Sequence, residues 1–100
     1  MLYIQDVEPG KLVLSSSPAG GRSVIFNVLE VGMILSVLEQ ARWEVSLPEF
    51  KLVHNACDSD DEYDYTCVLD HEQCGFSATE AKVIRHALYA ACLKLCRTKE

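Results

Sequence analysis

The segment Ser77 to Cys96, SATEAKVIRHALYAACLKLC, limits the fold more than any other part of the chain. Ser77 with Glu80 three residues on is a capping box: the hydroxyl accepts from a first-turn N–H while the glutamate reaches back to the cap. It predicts a helix from Ala78 to residue 97. Ala81, Ile84, Leu88, Ala91 and Leu95 recur at steps of three and four, which places them on one face, with Ala87 and Cys92 at its edges. That face needs a second layer to cover it. The other side mixes Val83, Ala90 and Leu93 with Lys82, His86, Lys94 and Arg97, less polar than a solvated face requires.

A second helix is expected over 28–42. Asn27 and Glu30 repeat the capping signal, and Val31, Ile34, Leu35, Leu38 and Ala41 form an apolar stripe opposite Gly32, Ser36, Glu39 and Gln40. Before it, Leu2 to Val7 and Lys11 to Ser16 flank Glu8-Pro9-Gly10, a turn in which proline presets φ and glycine supplies positive φ. A hairpin follows from this, then an exposed loop at 15–21 and a strand from Ser23 to Val28. In 43–50, Pro48 and the Ser46/Glu49 spacing allow a single helical turn before the chain extends, and the choice between helix and strand stays open there. Phe50 to Cys57 and Tyr63 to Asp70 read as strands joined by the acidic stretch Asp58 to Glu62; Tyr63, Tyr65, Cys67 and Leu69 alternate with Asp64, Thr66, Val68 and Asp70, so one face is buried. His71 to Phe76 reads as a loop. No internal repeat stands out. The expected fold is α+β, one domain over 1–100, with an antiparallel sheet of four or five strands and both helices on one face.

One hundred residues with 49% apolar content suffice for one core. The net charge of −6 is uneven: 57–77 holds seven acids and no Lys or Arg, whereas 78–100 holds five bases and two acids. Such a field disfavours direct nucleic-acid binding and favours basic partners near the acidic stretch. The apolar window Val24 to Ala41 contains Asn27, Glu30 and Glu39, each costly in hydrocarbon, so no membrane span is expected. The opening MLYIQDVEPG has no signal-peptide pattern, and five cysteines, two of them poorly placed at i and i+4 for a disulfide, fit reduced thiols; a cytoplasmic address is expected.

Three groups of residues compete for a functional reading. His54, Cys57, Cys67, His71 and Cys74 supply thiolates and imidazoles that could converge on a tetrahedral zinc, although no C-x-x-C knuckle is present. The acidic stretch does not satisfy a calcium loop, since one starting at Asp58 would place Tyr63 where glycine is needed and Leu69 where glutamate is needed. No nucleotide-binding, hydrolase or metalloprotease motif occurs, so no catalytic residue is assigned and an enzyme is not expected. The third group is the outer side of the last helix, where Val83, His86, Tyr89, Ala90 and Leu93 either meet the sheet or form an interface.

The functional expectation is a small acidic accessory or regulatory protein, an inhibitor or adaptor of the phage or mobile-element type, that binds another protein. Its contacts would come from Tyr89, Leu93, Val83 and His86 on the helix and Asp58, Asp60, Asp61 and Glu62 on the acidic stretch; homodimerisation is an alternative use of the helix. No cofactor is required on this reading. The other readings are a zinc-stabilised binding module and an acidic nucleic-acid mimic that blocks a basic groove.

Overall fold

The computed structural model describes residues 2–19, 21–55 and 63–97. Along them run β1 (Tyr3–Glu8), β2 (Lys11–Ser15), β3 (Ser23–Phe26), α1 (Val28–Leu38), β4 (Glu44–Leu47), β5 (Phe50–His54), β6 (Tyr65–Leu69), β7 (Glu72–Phe76) and α2 (Ala78–Leu95). The chain is α+β, and all paired strands are antiparallel. One expected sheet is instead two, ordered β1-β2-β3 and β4-β5-β6-β7. The division follows from α1, which interrupts the strands and then packs against both sheets, touching β2 and β3 on one side and β4 and β5 on the other; α2 packs on α1 and β1.

Both capping boxes form. Asn27 Oδ1 accepts from Glu30 N at 2.8 Å, and Glu30 Oε1 accepts from Asn27 N at 3.0 Å. Ser77 Oγ accepts from Glu80 N at 3.2 Å, and Glu80 Oε1 accepts from Ser77 N at 3.2 Å. Asp64 adds a further acceptor for the start of α2, taking Ala78 N at 2.8 Å. Each cap follows directly on a buried phenylalanine that ends a strand. Fifty residues separate Phe26 from Phe76, Asn27 from Ser77, Glu30 from Glu80, Ile34 from Ile84 and Leu38 from Leu88, so a strand–cap–helix unit occurs twice. This recurrence is not evident from the sequence, because few residues coincide between the two units.

The hydrophobic stripes bury as their spacing requires. Ala81, Ile84, Leu88, Ala91 and Leu95 of α2 are all buried, as are Val31, Ile34, Leu35 and Leu38 of α1. Ala41 is not, because α1 stops at Leu38 rather than at Arg42. Gln40 adopts φ 64°, its N–H bonds Val37 O at 3.0 Å, and Ala41 N bonds Ser36 O at 2.9 Å. This is a Schellman ending with glutamine where glycine usually stands, so the sequence carries no glycine to mark it.

Of two further segments, one was left open by the sequence and one differs from expectation in kind. The 43–50 stretch is no helical turn: β4 pairs Leu47 with Phe50 across Pro48-Glu49, turning Val45 into the core and Glu44 and Ser46 outward. The 71–76 stretch is β7 rather than a loop, and its tight turn puts Asp70 at φ 47° and His71 at φ 68°, the paired positive values of a type I′ hairpin. Asp-His lacks the glycine that usually announces such a turn. The β1–β2 hairpin does match: Glu8 opposes Lys11, Gly10 takes φ 80°, and Gly10 N satisfies Leu95 O at the end of α2 at 2.8 Å.

Stacked rings cross the larger sheet. Trp43 stacks on His54 at 5.3 Å, His54 on Tyr65 at 4.8 Å and Tyr65 on Phe76 at 5.3 Å, running from exposed Trp43 to fully buried Phe76. Phe26 meets Phe50 edge-on at 5.0 Å and joins the two sheets. On the outside, Arg22 donates to Asp70 O at 2.8 Å and lies 3.5 Å from the Glu72 carboxylate, an exposed clasp worth at most about 1 kcal/mol.

The two sides of α2 are separable by mutation. Leu88→Ala, in a fully buried site, should cost about 2–5 kcal/mol in urea unfolding. Leu93→Ala should stay within about 0.5 kcal/mol of the parent. Equal losses would overturn the assignment of inner and outer faces.

Candidate functional site

Once five α2 side chains are committed to the core, the remainder of the helix is free to face outward. Val83 is 53% exposed, Tyr89 47% and Leu93 81%, while His86 and Ala90 are exposed between them. The structure therefore leaves the expected set Val83, His86, Tyr89, Ala90 and Leu93 uncovered by either sheet. At about 100° per residue, Val83, Ala90, His86 and Leu93 occupy an arc of roughly 80°, with Tyr89 about 40° beyond Leu93. From Val83 to Leu93 the patch runs roughly 15 Å along the helix.

The borders of this patch are basic. Lys82, Lys94 and Arg97 are exposed and Arg85 is half-buried. Glu80, the acid within the helix, is engaged in the cap. On a chain of net charge −6, α2 thus presents a local positive rim around apolar side chains. At its Val83 side the surface continues into a groove of about 270 Å³ lined by Leu2, Tyr3, Ile4, Leu14, Ile84 and Ala87. The groove runs beside β1, an edge strand whose ladder shifts between Ile4 and Asp6. Such an irregularity, together with the exposed charges Asp6 and Glu8, discourages unselective strand pairing.

The acidic residues Asp58, Asp60, Asp61 and Glu62 lie outside the described residues, as does Cys57 of the expected zinc set. The remaining members of that set are dispersed. His54 is held in the ring stack, and His71 sits in the β6–β7 turn beside a cavity of about 210 Å³ bordered by Pro48, Glu49 and Val68. Cys67 and Cys74 do come together, as directly opposed residues of β6 and β7. Among the described residues, no group of three His, Cys, Asp or Glu side chains is arranged to hold a metal.

Hydrogen bonding between the two thiols divides their proton affinities. The Cys67 thiol, hydrogen-bonded to Cys74 and buried, is pushed well above its ordinary range. Cys74 accepts that bond and is lowered to about 7, even though its partial burial acts in the other direction. The zinc reading already groups Cys67 with Cys74, but their direct opposition follows only from the turn register, which brings 67 opposite 74 once Asp70-His71 is recognised as a two-residue turn. A second exposed apolar group was missed: Ile25, Val28 and Leu29, at the edge strand β3 and the start of α1. Leu29 lies off the buried stripe of α1, a placement that helical spacing alone reveals.

No helix among the described residues is long and apolar enough to cross a membrane. Neither a protein-family model, nor a curated protein, nor a solved structure matches the chain.

The thiol pair makes a pH prediction. Alkylation of Cys74 by iodoacetamide should rise with a midpoint near pH 7, because the hydrogen bond from Cys67 favours the thiolate. Removing that donor in Cys67→Ala should move the midpoint up toward the ordinary value of 9.0. A midpoint unchanged by the substitution would show that Cys67 does not stabilise the Cys74 thiolate.

Proposed function

We propose that the protein is a small accessory or regulatory protein that acts by binding another protein through the outer face of α2. The observation that carries this reading is the exposure of Val83, Tyr89 and Leu93 on a helix whose core-facing side is already complete. The apolar area these side chains leave exposed in the monomer gains free energy when a partner removes it from water, at about 25 cal/mol per Å². Tyr89 and Leu93 would be the anchors. The rim of Lys82, Lys94 and Arg97 complements a partner surface that carries carboxylates, speeding encounter while the anchors set the lifetime of the complex.

A second copy of the chain is another candidate partner, which would be held through the exposed apolar side chains of this face rather than through its basic rim. The zinc-stabilised module has less support, because Cys67 and Cys74 stand together without a third ligand among the described residues. The nucleic-acid mimic rests on acidic residues outside the described part of the chain.

The test replaces both anchors, Tyr89→Ser with Leu93→Ser, and compares the variant with the parent for partner capture from the source cell and for mass by light scattering. The melting transition should be nearly unchanged. Loss of a dominant anchor costs at least about 2 kcal/mol, or roughly thirty-fold in affinity. If the folded double variant keeps every specific partner at parental affinity and the parental oligomeric state, this reading is wrong.

A further inference from the structure

Cys67 and Cys74 are opposed in the β6–β7 ladder, between the pairs Tyr65/Phe76 and Leu69/Glu72 on the same face of the sheet. Directly opposed antiparallel residues have Cα atoms about 4.5 or about 5.5 Å apart, depending on which of the two ladder positions they occupy. Both spacings fall within the roughly 4.4–6.8 Å that a disulfide spans. The strands need not move apart or slide for the two sulfurs to join. Both thiols are free, with Cys67 fully buried and Cys74 partly open to solvent. A single buried cysteine behaves as a small hydrophobe and needs no further account. Two that face one another, one sealed and one reachable, have the arrangement of a resolving and an attacking thiol.

We infer that Cys67 and Cys74 form a dithiol modification site that reacts with small-molecule disulfides of the glutathione class and closes to an intramolecular disulfide. In the first step the Cys74 thiolate attacks one sulfur of glutathione disulfide. The disulfide bond breaks, one glutathione thiolate leaves, and Cys74 carries the other half as a mixed disulfide. In the second step Cys67 gives its proton to the departing thiolate and attacks Cys74 Sγ, expelling the second glutathione. Two protein thiols are oxidised and one glutathione disulfide is reduced to two glutathiones. The bridge would join neighbouring strands that the ladder already holds together, and it would close a short loop, which constrains the unfolded chain somewhat less than a long one does. Cys96, exposed at the end of α2, has no opposed thiol of this kind among the described residues and should stop at the mixed disulfide.

The experiment treats the folded full-length chain with excess glutathione disulfide, quenches with acid, alkylates the remaining thiols and maps the cysteine peptides by mass spectrometry. The expected product is a Cys67–Cys74 linked peptide, lighter by two hydrogens than the reduced pair and restored by dithiothreitol. In Cys67→Ala the reaction should stop with glutathione on Cys74. A parent protein in which Cys74 ends as free thiol, as stable mixed disulfide, or linked to a different cysteine would overturn the proposal, and that result stands whether or not the variant folds.

Discussion

The strand-to-helix junctions at Asn27 and Ser77 determine where everything else lies. Each has the same parts: a buried phenylalanine closes a strand, the next residue caps a helix, and a glutamate three residues on closes the box. Because the cap fixes the first turn, it also fixes the rotation of the helix about its axis, and with it which residues turn inward. A cap moved by one residue would rotate the stripe by about 100° and replace Leu88 with a polar or exposed neighbour in the core. Phe26 and Phe76 lock the strand side of each junction, the first against Phe50 and the second against Tyr65. The two halves then meet through their helices and through the Phe26–Phe50 contact, so two short sheets share one core.

What the sequence discloses depends on whether a structural signal is local. The caps at Asn27 and Ser77, the stripe of α2 and the alternation of Tyr65, Cys67 and Leu69 lie within a few residues and appear in the structure as their spacing implies, whereas Ala41 of the α1 stripe and Tyr63 at the start of the alternation are exposed. The end of α1, the β6–β7 turn and β4 were obscured because their signals use less usual residues. Gln40, Asp70 and His71 adopt positive φ in place of glycine. Pro48 serves a hairpin turn although Ser46 and Glu49 have the spacing of a cap. The ring stack was hidden for a different reason. Trp43, His54, Tyr65 and Phe76 follow one another at eleven-residue intervals, but only the strand registers make that interval a neighbour relation. The residues of the outer face of α2 were legible as a group, but that the sheets leave them uncovered was not; the opposed cysteines required the register.

The separation of chemistry from stability is clearest in the larger sheet. Its core side holds Phe50, Leu52, Tyr65, Leu69 and Phe76, which bury apolar area, together with Cys67, which is equally buried. Alanine or valine would fill a comparable volume there without adding a group that ionises or oxidises. The opposed Cys74 doubles the anomaly, because two thiols in one ladder pair perturb each other in opposite directions. Packing explains why position 67 is small and apolar. It does not explain why both members of the pair are sulfur.

The same reasoning applies to α2. Folding needs its five inward residues and its caps, and it is indifferent to much of the remainder. On a solvated face, Lys, Glu, Gln and Arg would serve helix formation as well as or better than what is present, since valine is β-branched and loses side-chain freedom in a helix. Yet Val83, Tyr89 and Leu93 stand exposed. Single exposed apolar residues are ordinary on any surface; several along one face, bordered by cations on an otherwise acidic chain, are not random placement. On the proposed binding reading the parts would have different tasks: long-range attraction would belong to Lys82, Lys94 and Arg97, which salt screens beyond about 8 Å, and short-range desolvation to Tyr89 and Leu93, which salt scarcely affects. A helix with one side satisfied by the core and the other unsatisfied by solvent is stable alone while still gaining from a partner, which is what a binding surface on a preformed scaffold requires.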